Sequence, residues 1–162
     1  MTATRRSNDP AAPLHTAFSL MEMVMVLAIM AVLSAIAVPR YSNTVERARA
    51  DAVARRLVAD LAYAQRAAKT TNQPQTVKLV WPSYYELVDL PGLNDPNAKY
   101  VVMLDEEPYG ASGFSFQLGG DNNLVFDIYG MPDSGGWITI NVGSQYRTVT
   151  IDADSGRAEI TG

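Results

Sequence analysis

The sequence predicts an α+β fold: one long N-terminal helix packed on antiparallel strands. Three observations predict it. An apolar run from Phe18 to Val38 continues into a stretch whose apolar residues recur at spacings of three and four. At Thr70-Thr71-Asn72-Gln73-Pro74 the pattern switches to short strand-like runs separated by Gly, Asn, Asp and Pro. The 162 residues leave room for one domain after the helix, with apolar content ample for a core.

Residues 1–17 form a short polar leader with Arg5, Arg6 and His15, which reads as a processing signal rather than part of the fold. The helix is expected from near Phe18 to about Thr70, roughly 80 Å if continuous. Between Phe18 and Val38 the one formal charge is Glu22. A carboxylate in a membrane-length apolar stretch is costly, roughly 2.5–3.5 kcal/mol for the similar Asp at a helix centre, so it needs a partner or a role. Pro39 is expected to kink the helix, because it lacks an N–H and clashes with the preceding turn, and Ser42-Asn43 to loosen the same place. Beyond it, Val53, Leu57, Leu61, Ala64 and Ala68 share one face, read as the core face of the head. Arg47, Arg55, Arg66 and Lys69 are left for water or a neighbour. Small residues at Ala48, Ala50, Ala52, Ala54, Ala59, Ala62 and Ala67 allow close approach of another element.

Val77–Trp81 and Tyr84–Leu90 flank Pro82-Ser83 and read as a hairpin. Pro91–Pro96 is a loop, Tyr100–Leu104 a short strand, and Asp105-Glu106-Glu107-Pro108 a solvated break. Phe114–Leu118 and Leu124–Ile128 flank Gly119–Asn123 as a second hairpin. Trp137–Val142 and Tyr146–Ile151 flank Gly143-Ser144-Gln145 as a third. Arg157–Ile160 follows the turn Asp152–Gly156. The expected divisions are 1–17 leader, 18–39 membrane-spanning helix, 40–72 amphipathic helix and 73–162 β-rich head.

Charge is unevenly placed. Arg40 to Lys69 holds seven Lys/Arg against Glu46, Asp51 and Asp60, whereas Lys78 to Gly162 holds four against twelve Asp/Glu. A basic stem thus carries an acidic head. Arg40, the first charge after the apolar run, suits anionic headgroups at a membrane surface. The acidic head disfavours a general nucleic-acid grip. The chain has no Cys, so it has no disulfide and no thiolate metal site. Its one His, His15, lies in the leader, so the usual nucleophile–base arrangements cannot be built in the remainder. No Gly-rich phosphate loop is present. Asp152-x-Asp154-x-Gly156 opens like a calcium loop but lacks the remaining ligands, and a turn of Asp, Ser and Gly explains it. Trp81, Trp137 and the tyrosines read as core or interface residues. No enzyme, cofactor or metal is expected.

The stretch Ala17 to Pro39, AFSLMEMVMVLAIMAVLSAIAVP, resembles the class III signal of type IV pilins and type II secretion pseudopilins. Phe18 matches the first residue after the family's cut, Glu22 its glutamate and Pro39 its proline. Ala17 stands where the family usually has Gly. Further matches lie in the head. Leu57 to Val80 contains Ala-Tyr-Ala-Gln-Arg-Ala-Ala leading into a strand. Phe126, Gly130 and Pro132 follow a Phe-x-x-x-Gly-x-Pro pattern, and Ser155-Gly156-Arg157 comes near the end. Together these are similar to the GspH/FimT-type minor pseudopilins, whose heads are β-sandwiches over the helix end. The resemblance implies cleavage between Ala17 and Phe18 by a prepilin peptidase and N-methylation of Phe18. The new α-amine, one helical turn from Glu22, would offset the buried carboxylate, within the chain or in a neighbour, and so set assembly register. DNA-binding members carry Gly-Arg-x-Arg where this chain has Gly156-Arg157-Ala158-Glu159. Arg157 is therefore the one candidate nucleic-acid contact, and Glu159 opposes it.

The resulting expectation is a minor pseudopilin of a type II secretion system. It would be a single-pass inner-membrane protein with a periplasmic head, drawn into a filament with other pseudopilins by an inner-membrane assembly platform. One alternative is a minor pilin of a type IV pilus, including a DNA-uptake pilus. Another is an anchored or secreted β-domain that binds a ligand and never polymerises. An ordinary signal peptide cut near Ala35-Ile36-Ala37 would suit the latter, although its 37 residues exceed the usual range. So would an uncut anchor.

Overall fold

The computed structural model describes residues 18–93 and 95–162, without the side chains of 36–40. Among these, one helix precedes eight strands: α1 (Leu20–Thr71), β1 (Gln75–Val80), β2 (Tyr84–Pro91), β3 (Lys99–Met103), β4 (Gly113–Leu118), β5 (Asn123–Phe126), β6 (Gly136–Val142), β7 (Gln145–Ile151) and β8 (Ala158–Ile160). The chain divides into two compact units, Met1–Pro39 and Arg40–Gly162. Helical structure runs without a break through Ser42-Asn43, where the Ser42 hydroxyl donates to Glu46 one turn on, 3.1 Å away. Pro39 lies within α1, at the border between the two units. α1 stays helical through Pro39, so the proline does not end the helix.

In the second unit the helix buries the expected stripe. Val53, Leu57, Leu61, Ala64 and Ala68 are all buried, joined by Ala50, Ala54 and Ala67. α1 ends where Asn72 adopts φ +54°, the left-handed conformation that closes helices, two residues before Pro74. The Thr70 and Thr71 hydroxyls donate back to carbonyls of the last turn.

The strands form two four-stranded antiparallel sheets, in the orders β3-β2-β1-β5 and β4-β6-β7-β8. Period-two alternation turns one face of each inward. Register aligns Tyr100, Leu87, Val77 and Leu124 across the first sheet. In the second sheet it aligns Phe116, Ile138, Val149 and Ile160. The inward residues of both sheets and the helix stripe form one apolar core.

The first and third expected hairpins are present, as β1–β2 and β6–β7. The second is not. β4 pairs with β6, and β5 crosses to the other sheet to pair with β1. Asn122 makes the crossing: its backbone carbonyl accepts from the Leu79 amide at 2.8 Å, and its side-chain amide donates to the Leu79 carbonyl at 2.9 Å. Gly119 to Asn123 is thus a link between sheets rather than a turn. β5 stops at Phe126 because the Asp127 carboxylate accepts from the Tyr129 and Met131 amides, closing a turn where Leu124–Ile128 was expected to run on. Trp81 is 71% exposed and Trp137 37%, so neither belongs to the core. Tyr85 and Tyr100 do belong to it.

Those two tyrosines surround Asp60, the one charged residue buried among the described residues of the head. Asp60 Oδ2 accepts from Tyr85 OH at 2.6 Å and Arg56 Nε at 2.8 Å, and Oδ1 accepts from Tyr100 OH at 2.7 Å. Arg56 also donates to Tyr100 OH at 2.8 Å. A buried carboxylate is tolerated when its lone pairs are filled by donors. Here the donors come from the helix, β2 and β3. Burial, then the Asp60 charge and hydrogen bond, pushes the Tyr85 hydroxyl well above its ordinary value. Burial and the Asp60 hydrogen bond push Tyr100 up to about 12. Burial works against the Arg56 charge, but Asp60 outweighs it, and the guanidinium is held more firmly protonated than usual.

Asp60→Ala strands three donors and should destabilise the head, residues 40–162, by about 3 kcal/mol in urea unfolding. Tyr85→Phe should cost roughly 1.5–3 kcal/mol, the range for a hydrogen bond to a charged group. Raised tyrosine values favour the neutral form in the fold. The corresponding stability is complete below pH 10 and should fall as pH rises through about 12. Chemical unfolding across that window would check it, with Tyr100→Phe flattening the decline.

Candidate functional site

The candidate residues lie at opposite ends of the chain. Ala17 falls outside the described residues. Phe18 is 75% exposed, just ahead of α1. Ser19 caps the helix: its hydroxyl accepts from the Glu22 amide at 3.2 Å and its carbonyl from the Met23 amide at 3.2 Å. Ser19-x-x-Glu22 has the spacing of a capping box, a local signal that the sequence reading passed over. Glu22 therefore sits in the first helical turn, where the positive end of the helix dipole favours a carboxylate.

Every described residue from Phe18 to Ala35 is exposed, around the whole circumference of the helix. The Ser34 hydroxyl is satisfied internally, donating to the Met30 carbonyl at 2.7 Å, so it does not break the apolar surface. Met25, Ala28, Ile29, Val32 and Leu33 outline a shallow apolar groove of about 310 Å³. No helix among the described residues is long and apolar enough to cross a membrane; the described side chains of the apolar run stop at Ala35, short of Val38.

In the head, polar contacts hold the helix to both sheets at separate levels. Glu46 Oε2 accepts from the Ser144 amide at 2.9 Å and its hydroxyl at 2.8 Å. Gly143, with φ +57°, lets the β6–β7 turn approach this closely. A Cβ there would lie 2.5 Å from the Glu46 carboxyl carbon. The bond from the Ser144 backbone, then those from the Ser144 and Ser42 hydroxyls, holds Glu46 below its ordinary value. Arg147 stands opposite Ile140, on the inward phase of β7, and so reaches Asp51 at 2.6 Å.

Near the helix end, Gln65 Nε2 donates to the Gly130 carbonyl at 2.8 Å and the Ser155 carbonyl at 2.7 Å. Gly156, with φ +67°, packs on the same group: a Cβ would meet Gln65 Nε2 at 2.8 Å, and Phe126 and Pro132 at 3.1 Å. Gln65, Phe126-x-x-x-Gly130-x-Pro132 and Ser155-Gly156 were separate motifs in the sequence. The fold makes them one cluster that fastens both sheets to the helix.

Arg157, the candidate nucleic-acid contact, has a side chain 77% exposed, and its Nε lies 2.9 Å from Glu159 Oε1. Its charge is thus met by the residue that replaces the second Arg of the DNA-binding pattern. Asp152 Oδ1 accepts from the Ser155 amide at 2.8 Å and hydroxyl at 2.6 Å, and these bonds hold its carboxyl below its ordinary value. Among the described residues, no group of three or more acidic, His or Cys side chains is placed to hold a metal ion.

Gly143→Ala should destabilise the head by about 1–3 kcal/mol, through the left-handed backbone and the displaced Glu46, measured by urea unfolding. Because Glu46 is held low, its contribution to stability is present above pH 4.5 and should be lost as pH falls through its lower folded value. Glu46→Gln should flatten that acid limb.

The chain matches no family model and no curated protein. Among solved structures it is similar to the type IV minor pilin FimU of Pseudomonas aeruginosa in one crystal form, at a TM-score of 0.52 and 16% identity over 72% of this chain and 91% of that one. A second crystal form of FimU aligns at a TM-score of 0.47 and 16% identity, over 69% of this chain and 92% of that one. The long N-terminal helix packed on antiparallel sheets is the fold of the type IV pilins.

Proposed function

We propose that the chain is a non-enzymatic filament subunit and, within that class, a minor pseudopilin of a type II secretion system. One observation carries the reading. The helix from Leu20 to Ala35 exposes apolar side chains on all sides, while the same helix has a complete core from Ala50 to Ala68. Water is a poor environment for the first segment. A bilayer before assembly, and neighbouring helices after it, would cover that surface. Cleavage before Phe18 would place a cationic amine one turn from Glu22, at the start of α1. The Ser19 cap would keep the two in register. A prepilin peptidase, an inner-membrane platform and fellow pseudopilins follow as partners, with the head on the periplasmic side.

Intact and peptide mass spectrometry of the protein from membranes of its native host tests the reading. A chain beginning at N-methylated Phe18 is expected. One beginning at Val38, or retaining 1–17, would leave a secreted or singly anchored β-domain. Glu22→Ala should abolish incorporation into filaments while leaving membrane insertion intact. A simple anchor would be indifferent to the change.

A second reading, a minor pilin of a type IV pilus, is favoured by the likeness in fold to a type IV minor pilin. Deleting the chain separates the two: lost export of folded proteins with normal surface pili supports secretion, and the reverse supports the pilus. For DNA uptake, Arg157 is already paired with Glu159. Accordingly, Arg157→Ala should leave duplex binding by the head unchanged.

A further inference from the structure

Each four-stranded sheet has two edge strands, whose outer backbone groups lack a ladder partner unless something else covers them. The β5 edge is covered by its own chain. The Val125 carbonyl accepts from the Asp133 amide at 2.9 Å, the Val125 amide donates to Asp133 Oδ1 at 3.1 Å, and Phe126 pairs with Pro132. β8 is three residues long, and β4 exposes the polar side chains of Ser115 and Gln117. None of these protections applies to β3. The Leu104 amide donates to the Ser83 carbonyl at 2.6 Å, so by alternation Val102 and Tyr100 bond to β2. Val101 and Met103 then direct their N–H and C=O groups away from β2. Their side chains are apolar and exposed, by 40% and 37%.

A groove of about 530 Å³ follows this edge along the whole of β3, from Lys99 to Met103. Five residues of extended chain span about 17 Å. The cations in the groove are already committed. Arg56 serves Asp60 and Tyr100, and Lys99 Nζ approaches Glu86 Oε1 at 3.0 Å, as an ion pair rather than an aligned hydrogen bond. Glu107 is met by Arg49 at 2.8 Å. Two carboxylates remain. Asp95, whose carbonyl accepts from the Ala98 amide at 3.0 Å, marks the Lys99 end. Glu106, just past Leu104, marks the Met103 end. Neither has a cationic partner among the described residues.

We infer that the β3 edge binds an extended segment of a different protein by strand addition, and that this segment carries Lys or Arg at both of its ends. Main-chain bonds to Val101 and Met103 supply the grip, as in other strand-addition contacts. Asp95 and Glu106 supply the selection for basic ends, by charge complementarity. A second copy of this chain does not fit. Its described strands are already paired within their own sheets. Two β3 edges set antiparallel would bring Asp95 of one against Glu106 of the other, and set parallel would bring Asp95 against Asp95, like charge on like either way. The edge belongs to the head, so its occupant does not depend on the apolar helix or on filament formation.

The probe is a labelled peptide, acetyl-Lys-Thr-Val-Thr-Val-Thr-Lys-amide, added to the full chain in non-ionic detergent micelles. Fluorescence anisotropy is expected to show binding. Hydrogen exchange at the outward Val101 and Met103 amides is expected to slow when the peptide binds. The same peptide with its backbone nitrogens methylated keeps its charge but has no ladder donors, and should not bind. Replacing both of its Lys by Glu should weaken binding about tenfold. Asp95→Lys with Glu106→Lys on the protein should reverse that preference. Val101→Pro removes one outward donor and leaves the bonds to β2 in place, so it should lose the peptide without moving the urea midpoint of the head. The exchange and methylated-peptide arms need no variant and decide the matter if Val101→Pro fails to fold. No binding of the Lys-ended peptide, equal binding of the methylated one, or binding that leaves both edge amides unprotected would each overturn the inference. Protection of those amides that grows with protein concentration, in the absence of peptide, would assign the edge to a second copy and overturn it as well.

Discussion

Asp60 is the constraint on which the head depends. It interrupts a helix face otherwise made of Ala, Val and Leu, and a carboxylate there cannot be left to hydrocarbon. Its two oxygens take three donors, so β2 must bring Tyr85 and β3 must bring Tyr100 to one point beside Arg56. Apolar packing alone would allow the first sheet to slide on the helix, because one aliphatic contact substitutes readily for another. Directional bonds to a charged group do not. Once that sheet is fixed, β1 fixes β5 through register, and Asn122 ties the chain leaving β4 to Leu79.

The second sheet is fastened by different chemistry. Ser144 and Arg147 bring it to Glu46 and Asp51, and its far end shares Gln65 with the β5–β6 loop. These contacts are more exposed than the Asp60 group. One helix therefore presents three kinds of surface: an apolar segment exposed among the described residues, a core stripe, and outward arginines.

Much of this was legible in the sequence. The stripe from Val53 to Ala68 follows from helical spacing, and most strands from local alternation and turn residues. The β4–β5 pairing was misread because Gly119–Asn123 has the composition of a hairpin turn. Which strand Phe114–Leu118 pairs with is decided by β6, some twenty residues on, and no local pattern encodes that. The Asp60 network was missed for a related reason. Asp60, Tyr85 and Tyr100 look unremarkable singly, and their relation exists only after folding. An Asp flanking an apolar stripe was the one available hint. In the candidate site, Phe18 and Glu22 stood out as candidates because their spacing is local. The Ser19 cap was equally local and went unread, while the pairing of Arg157 with Glu159 follows directly from strand alternation.

The fastening by Gln65 has a consequence for the order of synthesis. Its two acceptors, Gly130 and Ser155, lie 65 and 90 residues further along the chain. The partners of Glu46 and Asp51 are 98 and 96 residues away. A ribosome thus releases the helix first to the strands of the first sheet, whose Tyr85 and Tyr100 follow Asp60 by 25 and 40 residues. The second sheet can join them around Leu57 and Leu61 only when β7 and the turn after it have emerged. Until then the stripe is half covered, and the last strands complete the core that sets the second half of the helix apart from Leu27 and Leu33.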